Sequence, residues 1–418
     1  MTSGLSDALA RAVDGDRQWD RLMQMAAIGA VEGTGVDRPC LGERDRAARR
    51  LLIGWADAAG ATVSVDDAAN LWLRREGTVP GAAAVLTGSH MDSQPRGGRF
   101  DGIWGVIAGL EVMTALQALD LRTPHPIELV AWTNEEGGRF APGCMGSMAW
   151  SGHTPLERFL EVRDAAGISF GAALDEHLAL EQDLPRRPLG GVPHGYVEAH
   201  IEQGPLLEAG GRRIGVVTGI QGSRWFSVTV IGASAHAGTA PLRLRRDALQ
   251  DAVRAIVALN ELTRDPEDIL RFTVGRMTVS PNSLNSVAGQ VTFTIDLRHP
   301  DAGVLGRIGD AIEATVRGAL SGTTARVTEL FSAMPVRFAG NVVDAVERAA
   351  AAEALSHVRM PSGAFHDAQF AAGVCPSGMV FVPCRDGVSH NVIEFASPAD
   401  LAAGARVLAR TLLSLAGG

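Results

Sequence analysis

The chain contains no lysine: all 38 of its basic residues are arginine. That excludes Schiff-base catalysis, the lysine of a P-loop and any Ser–Lys dyad. A single tyrosine, Tyr196, nearly excludes phenolic acid–base chemistry. The four cysteines (Cys40, Cys144, Cys375 and Cys384) form no C-x-x-C pair and sit in no nucleophile context. They read as reduced, buried small hydrophobes of a cytoplasmic protein. No run of 18 apolar residues exists to span a membrane, and the acidic N-terminal stretch does not resemble a signal peptide. Basic charge is also in deficit. Asp+Glu number 47 against those 38 arginines, a net charge of −9, which disfavours nucleic acid or an anionic membrane as partner.

What is present suits a folded protein. With 418 residues, 46% hydrophobic and 20% charged, the chain has length for two or three domains and a large core. Residues 5–30 and 43–60 read as helices. Apolar runs at 82–88, 127–133, 195–201 and 378–384 read as buried strands, and 102–118 as an apolar helix. Strands alternating with helices indicate an α/β domain on a largely parallel or mixed sheet. The middle of the chain has another rhythm: strand 224–231, helix 242–263, strands 270–279 and 290–298, helix 301–319 and strand 325–331. That order is β-α-β-β-α-β, the ferredoxin-like split arrangement. Residues 212–331 therefore read as a second domain inserted into a first made of 1–211 and 332–418.

Ligands of open α/β sheets bind beyond the carboxyl ends of the strands. The stretch GSHMD after the first apolar run supplies His90 and Asp92, and RFDG supplies Asp101. TNEEGGRF supplies Glu135 and Glu136, HIEQGP supplies His200 and Gln203, and RDGVSHN supplies His390. Imidazoles and carboxylates delivered by several strand ends are the donor chemistry of Zn2+ or Mn2+, with Co2+ or Ni2+ also compatible. A single catalytic zinc takes three protein ligands, whereas five (His90, Asp101, one of the two glutamates, His200 and His390) suit two ions sharing a carboxylate, about 3.5–4 Å apart. Asp101 is the natural bridge. Adjacent Glu135 and Glu136 cannot both point the same way from a strand end, so one can ligate while the other acts as a base. Asp92 is placed to accept the other N–H of His90. Taken singly, each residue has a plainer reading, a satisfied polar histidine or a solvated turn; their joint placement favours a metal centre.

GSHMDSQPRGGRFDGIWGV, TNEEGGRFAPGCMGS, HIEQGPLLE, GASAHAGTAPLRLRRDA and SHNVIE together resemble the amidase, hydantoinase/carbamoylase branch of the M20 metallopeptidase-like family. The resemblance runs from about residue 20 to the C-terminus. It implies a zinc-peptidase-like catalytic α/β domain with two metals and an inserted ferredoxin-like lid and dimerisation domain. By the same resemblance, His90 and His200 would hold one metal, Glu136 and His390 the other, and Asp101 would bridge them. Glu135 would be the general base. Gln203 would meet a ureido group. His236 would reach the active site of the partner subunit in a homodimer, and Asn285 and Arg298 would hold the substrate carboxylate. His366 would join the substrate-binding residues.

The activity so implied is hydrolysis of the C–N bond of an N-carbamoyl (ureido) L-amino acid to amino acid, ammonia and CO2. The alternatives are an allantoate amidohydrolase, an M20 aminoacylase or dipeptidase, and, outside enzymes, a catalytically silent metal-binding homologue. Two departures from the family pattern stand out. SGAFHDA carries Phe365 where the family has glycine in a segment lining the substrate pocket, and HNVIE replaces HNPxE or HSPxE. GISFG (167–171) matches a nucleophile-elbow pattern, but a charged helical stretch precedes Ser169 where a strand is needed.

Overall fold

The computed structural model describes residues 2–417 and divides them into two compact units. One runs to Gly219 and resumes at Arg337; the other, Ile220–Val336, is inserted between. The expected boundaries of 212 and 331 differ from these: 212 lies just ahead of a strand of the large unit's sheet, and 331 falls inside the last strand of the inserted one. Residues 214–220 belong to the large unit's sheet, and strand Thr324–Ala333 completes the inserted one.

The large unit opens with strands β1 (Thr62–Val65), β2 (Leu71–Arg75), β3 (Val85–His90), β4 (Ile127–Trp132), β5 (Gly195–Ile201) and β6 (Ile214–Ile220). The inserted unit supplies β7 (Gly222–Ile231), β8 (Ala235–His236), β9 (Arg271–Ser280), β10 (Ser286–Val287), β11 (Gln290–His299) and β12 (Thr324–Ala333). The chain returns through β13 (Val336–Arg337), β14 (His357–Ser362) and β15 (Ser377–Val382). The large sheet has the order β1-β2-β4-β3-β5-β15-β6-β13, with β14 also on β6. It is mixed: β4, β3, β5 and β15 run parallel, while β2 and β6 join antiparallel. The parallel strands are buried along their whole length, which explains why each reads as a continuous apolar run rather than an alternation. Helix Ile103–Ala118 packs on β3 and β5 and is buried nearly all round, matching its uniformly apolar sequence.

The inserted unit holds a four-stranded antiparallel sheet in the order β12-β7-β11-β9. Helices Ala248–Leu262 and Ala302–Gly318 cross between its strands and pack on one face. Phe226, Val228, Val230, Phe293, Ile295 and Leu297 form the core with them, which leaves the alternate residues of β7 and β11 on the other face.

Three helix expectations need correction. Residues 5–30 are two helices, Thr2–Ala12 and Gly15–Ala27, because Asp14 is extended and its side chain accepts the N–H groups of Asp16 and Arg17, capping the second helix. The helix expected over 43–60 ends at Gly54. The one expected from 242 starts at Ala248, where Asp247 caps it by accepting from Leu249 and Gln250. No described helix is long and apolar enough to cross a membrane.

Candidate metal centre

The carboxyl ends of the parallel strands carry most of the candidate ligands. His90 is the last residue of β3, His200 lies near the end of β5, Glu135 and Glu136 follow β4, and His390 lies in the loop after β15. Asp101 sits just before the apolar helix that packs beneath them.

Backbone carbonyls fix the two buried imidazoles. His90 Nδ1 lies 3.0 Å from the Asp92 carbonyl and His200 Nδ1 2.9 Å from that of Ile201. A carbonyl can only accept, so each Nδ1 carries a proton, and in the neutral ring Nε2 keeps its lone pair. Both Nε2 atoms face the same carboxylate oxygen, Asp101 Oδ1, at 3.6 Å and 3.2 Å. On the other side, His390 Nε2 lies 3.3 Å from Asp101 Oδ2 and 3.3 Å from Glu136 Oε2. Asp101 thus turns one oxygen to each of two donor sets: His90 with His200, and Glu136 with His390. Lone pairs aimed at a carboxylate oxygen repel unless a proton or a metal cation lies between them, and two imidazoles on one side of the shared carboxylate, with an imidazole and a glutamate on the other, are the donor types divalent ions take. Gly102 has φ +65°, and a Cβ there would run into the His90 ring, so the residue after Asp101 has to be glycine for the two to meet.

The charges show the same crowding. Burial opposes a protonated His90, yet Glu135, Asp101, Asp92 and Glu136 hold it well above the ordinary imidazole range. Asp101, with some help from Glu136, raises His390 to about 9. Burial, then Asp101, pushes the Glu136 carboxyl up to about 7. Glu135 is driven well above its usual range by burial and by neighbouring Asp367, Glu136 and Asp92, against the pull of His90. Its Oε2 lies 3.4 Å from His90 Nε2, beside the centre.

Several supporting contacts differ from expectation or had no motif to announce them. Asp92 orients His90 through its carbonyl; its carboxylate, 3.7 Å from the ring, instead accepts the backbone N–H groups of Glu135 and Glu136 at 3.2 and 3.3 Å. It ties the loop bearing the two glutamates to the one bearing His90. Glu394 is buried and accepts from the N–H groups of Phe100 and Asp101 at 2.9 and 3.1 Å, holding Asp101 in place. Gly98 makes room for it, since a Cβ there would collide with the Glu394 carboxyl. The Gln203 amide donates to Asp101 Oδ2 at 2.9 Å and lies 3.3 Å from His390 Nε2. His366 is buried, its ring centroid 4.5 Å from that of His200, with Nε2 3.0 Å from Ser362 Oγ. Burial and then the positive charge of His200 keep it well below the usual imidazole range. Phe365, one residue earlier, is half-buried.

The remaining candidates lie in the inserted unit. His236 and Asn285 adjoin on the short β8–β10 ladder, where Ser286 pairs with His236 and the Asn285 carbonyl accepts from Ala237 at 2.9 Å. Both are exposed. His236 Nδ1 accepts the Gly238 N–H at 3.1 Å, so the neutral ring carries its proton on Nε2. Arg245 braces this loop by donating to the Ala240 and Ala237 carbonyls at 2.9 and 2.6 Å. Arg298 is half-buried on the open face of β11, paired with Asp296 at 2.8 Å.

Comparison with known proteins agrees with this architecture. Residues 86–414 match the model of peptidase family M20/M25/M40. The chain is 39% identical over 409 residues to an N-carbamoyl-L-amino-acid amidohydrolase of Rhizobium meliloti, covering 97% of both chains. It is 40% identical over 412 residues to one of Geobacillus stearothermophilus, covering 97% of this chain and 100% of that one. A crystal structure of an amidase of the hydantoinase/carbamoylase family from Burkholderia multivorans superposes with a TM-score of 0.92 at 45% identity, covering 97% of this chain and 98% of that one. The chain belongs to peptidase family M20/M25/M40, and its mixed α/β fold is the fold of that family.

Proposed function

We propose that the protein is a metal-dependent amidohydrolase that cleaves the ureido C–N bond of N-carbamoyl L-amino acids, releasing the amino acid, ammonia and CO2. The observation that carries the reading is the split orientation of Asp101, one oxygen toward His90 and His200 and the other toward His390 beside Glu136. The names of the relatives supply the substrate class.

Two divalent ions, Zn2+ or Mn2+, would be held by these five residues, and when bound they supply Lewis acidity that polarises a carbonyl and acidifies water. Glu135 takes the proton of the attacking water and passes it to the leaving nitrogen. Its nearly buried carboxyl is raised well above the usual carboxylate range by burial and neighbouring acids, which strengthens it as a base. Gln203 meets the ureido group, and His366 belongs to the substrate-binding set. His236 acts from the neighbouring subunit of a homodimer formed through the inserted lid domain. Its Nε2–H donates to the carbonyl oxygen as negative charge develops there. Asn285 and Arg298 hold the substrate carboxylate, for which a planar guanidinium is suited.

The test is ammonia release from N-carbamoyl-L-amino acids, N-carbamoyl-β-alanine and allantoate, together with metal content. Metal-dependent turnover of the N-carbamoyl amino acids is the expected result. A metal-loaded protein that hydrolyses no ureido acid contradicts the reading, and a preference for allantoate reassigns the substrate.

A further inference from the structure

We propose that Trp225 and Phe331, on the open face of the inserted sheet, seat the side chain of the substrate amino acid, so that bulky apolar and aromatic N-carbamoyl amino acids are the preferred substrates. This rests on the reading of Arg298 as the partner of the substrate carboxylate.

The geometry lies wholly within the inserted unit. On β7, Phe226, Val228 and Val230 enter the core beneath the helices, so Trp225 projects from the opposite face. On β11, Ile295 and Leu297 do the same, which puts Asp296 and Arg298 on the face of Trp225. The register sets Trp225 directly across from Asp296 on one side and from Phe331 on the other. The two rings pack with centroids 4.8 Å apart at 39°. Trp225 remains 37% exposed and Phe331 38%. Further along, this face carries Ser227, Thr229, Thr292 and Thr294, which are small and polar.

Arg298 is folded back toward this pair. Its Nε lies 3.0 and 3.1 Å from the two Asp296 carboxylate oxygens and its Nη2 2.8 Å from Oδ2, so Trp225's cross-strand partner orients the guanidinium. Arg298 and Trp225 are diagonal neighbours on one sheet face, a separation of about 7–8 Å that an aromatic side chain spans. The side chain of an amino acid leaves one bond from its carboxylate carbon. A carboxylate held at Arg298 therefore brings that side chain within reach of the rings, which gain by covering their apolar surface. A glycine derivative presents nothing to them.

The experiment measures kcat/KM of the metal-loaded enzyme for N-carbamoyl-L-phenylalanine, N-carbamoyl-L-leucine and N-carbamoylglycine. It compares wild type with Trp225→Ala, Phe331→Ala and Trp225→Phe; metal content and thermal midpoint confirm folding. The wild type should favour the phenylalanine derivative over the glycine derivative at least tenfold. Trp225→Ala and, separately, Phe331→Ala should each cut that ratio at least tenfold, mainly through KM, and Trp225→Phe should recover most of it. An unchanged ratio in both alanine variants, with the ureido acids still hydrolysed, overturns this inference and leaves the amidohydrolase reading standing. A wild type that hydrolyses none of the three overturns both.

Discussion

His90 and His200 are each 1% exposed, and backbone carbonyls fix both rings. His236 lies on a two-residue ladder and Asn285 beside it, both exposed and held by a few loop contacts. The proposed machinery is thus built in two styles. In the large unit, strand ends and an apolar helix deliver donors into a largely buried cluster, open only at His390, whose crowded charges a cation relieves. In the inserted unit, the groups proposed to meet substrate sit on surface, where desolvation costs nothing until something binds. The contrast teaches where preorganisation is needed: around ions that demand fixed geometry, and less around a substrate that brings its own binding energy.

Perturbing one region and then the other should expose that difference. Chelation should abolish turnover, and Zn2+ or Mn2+ should restore it; full activity in metal-free protein would remove the large unit's special role. Glu135→Gln should bind metal normally yet lose about 10²–10⁴-fold in kcat, read by steady-state kinetics beside metal analysis. Arg298→Ala should raise KM roughly ten- to hundredfold with metal content unchanged, since bonds to a charged group are worth that much. Glu394→Gln should weaken metal affinity by about 10–100-fold in a competition titration, because it releases the loop that holds Asp101. The smallest effect belongs to Asp247→Ala, about 1 kcal/mol in denaturant unfolding of the inserted unit, with metal binding untouched.

Much of the catalytic side was legible in the sequence because its signals are side-chain types at strand ends. The continuous apolar runs announce β3, β4, β5 and β15, and the motifs at their ends carry the residues that the structure gathers around Asp101. Less of the support was readable. Strand β1 (TVSV) alternates with polar residues and β2 (LWLRR) ends in two arginines, so neither reads as a buried apolar run, although β2 pairs with β4. Residues 214–220 look like the entry to the inserted domain, yet they pair antiparallel with β15. The carbonyl of Asp92 does what its side chain was expected to do, and backbone atoms leave no trace in composition. Glu394 lies nearly three hundred residues from Asp101, so only the fold reveals that it braces the bridge. The glutamate of HNVIE was visible as a motif letter but not as a support.

The most direct measurement is metal stoichiometry by elemental analysis of the wild type and of Asp101→Asn. The account predicts two divalent ions per chain in the wild type and loss of both sites' affinity when the shared carboxylate is neutralised. One ion per chain, or two that survive the substitution, would contradict it.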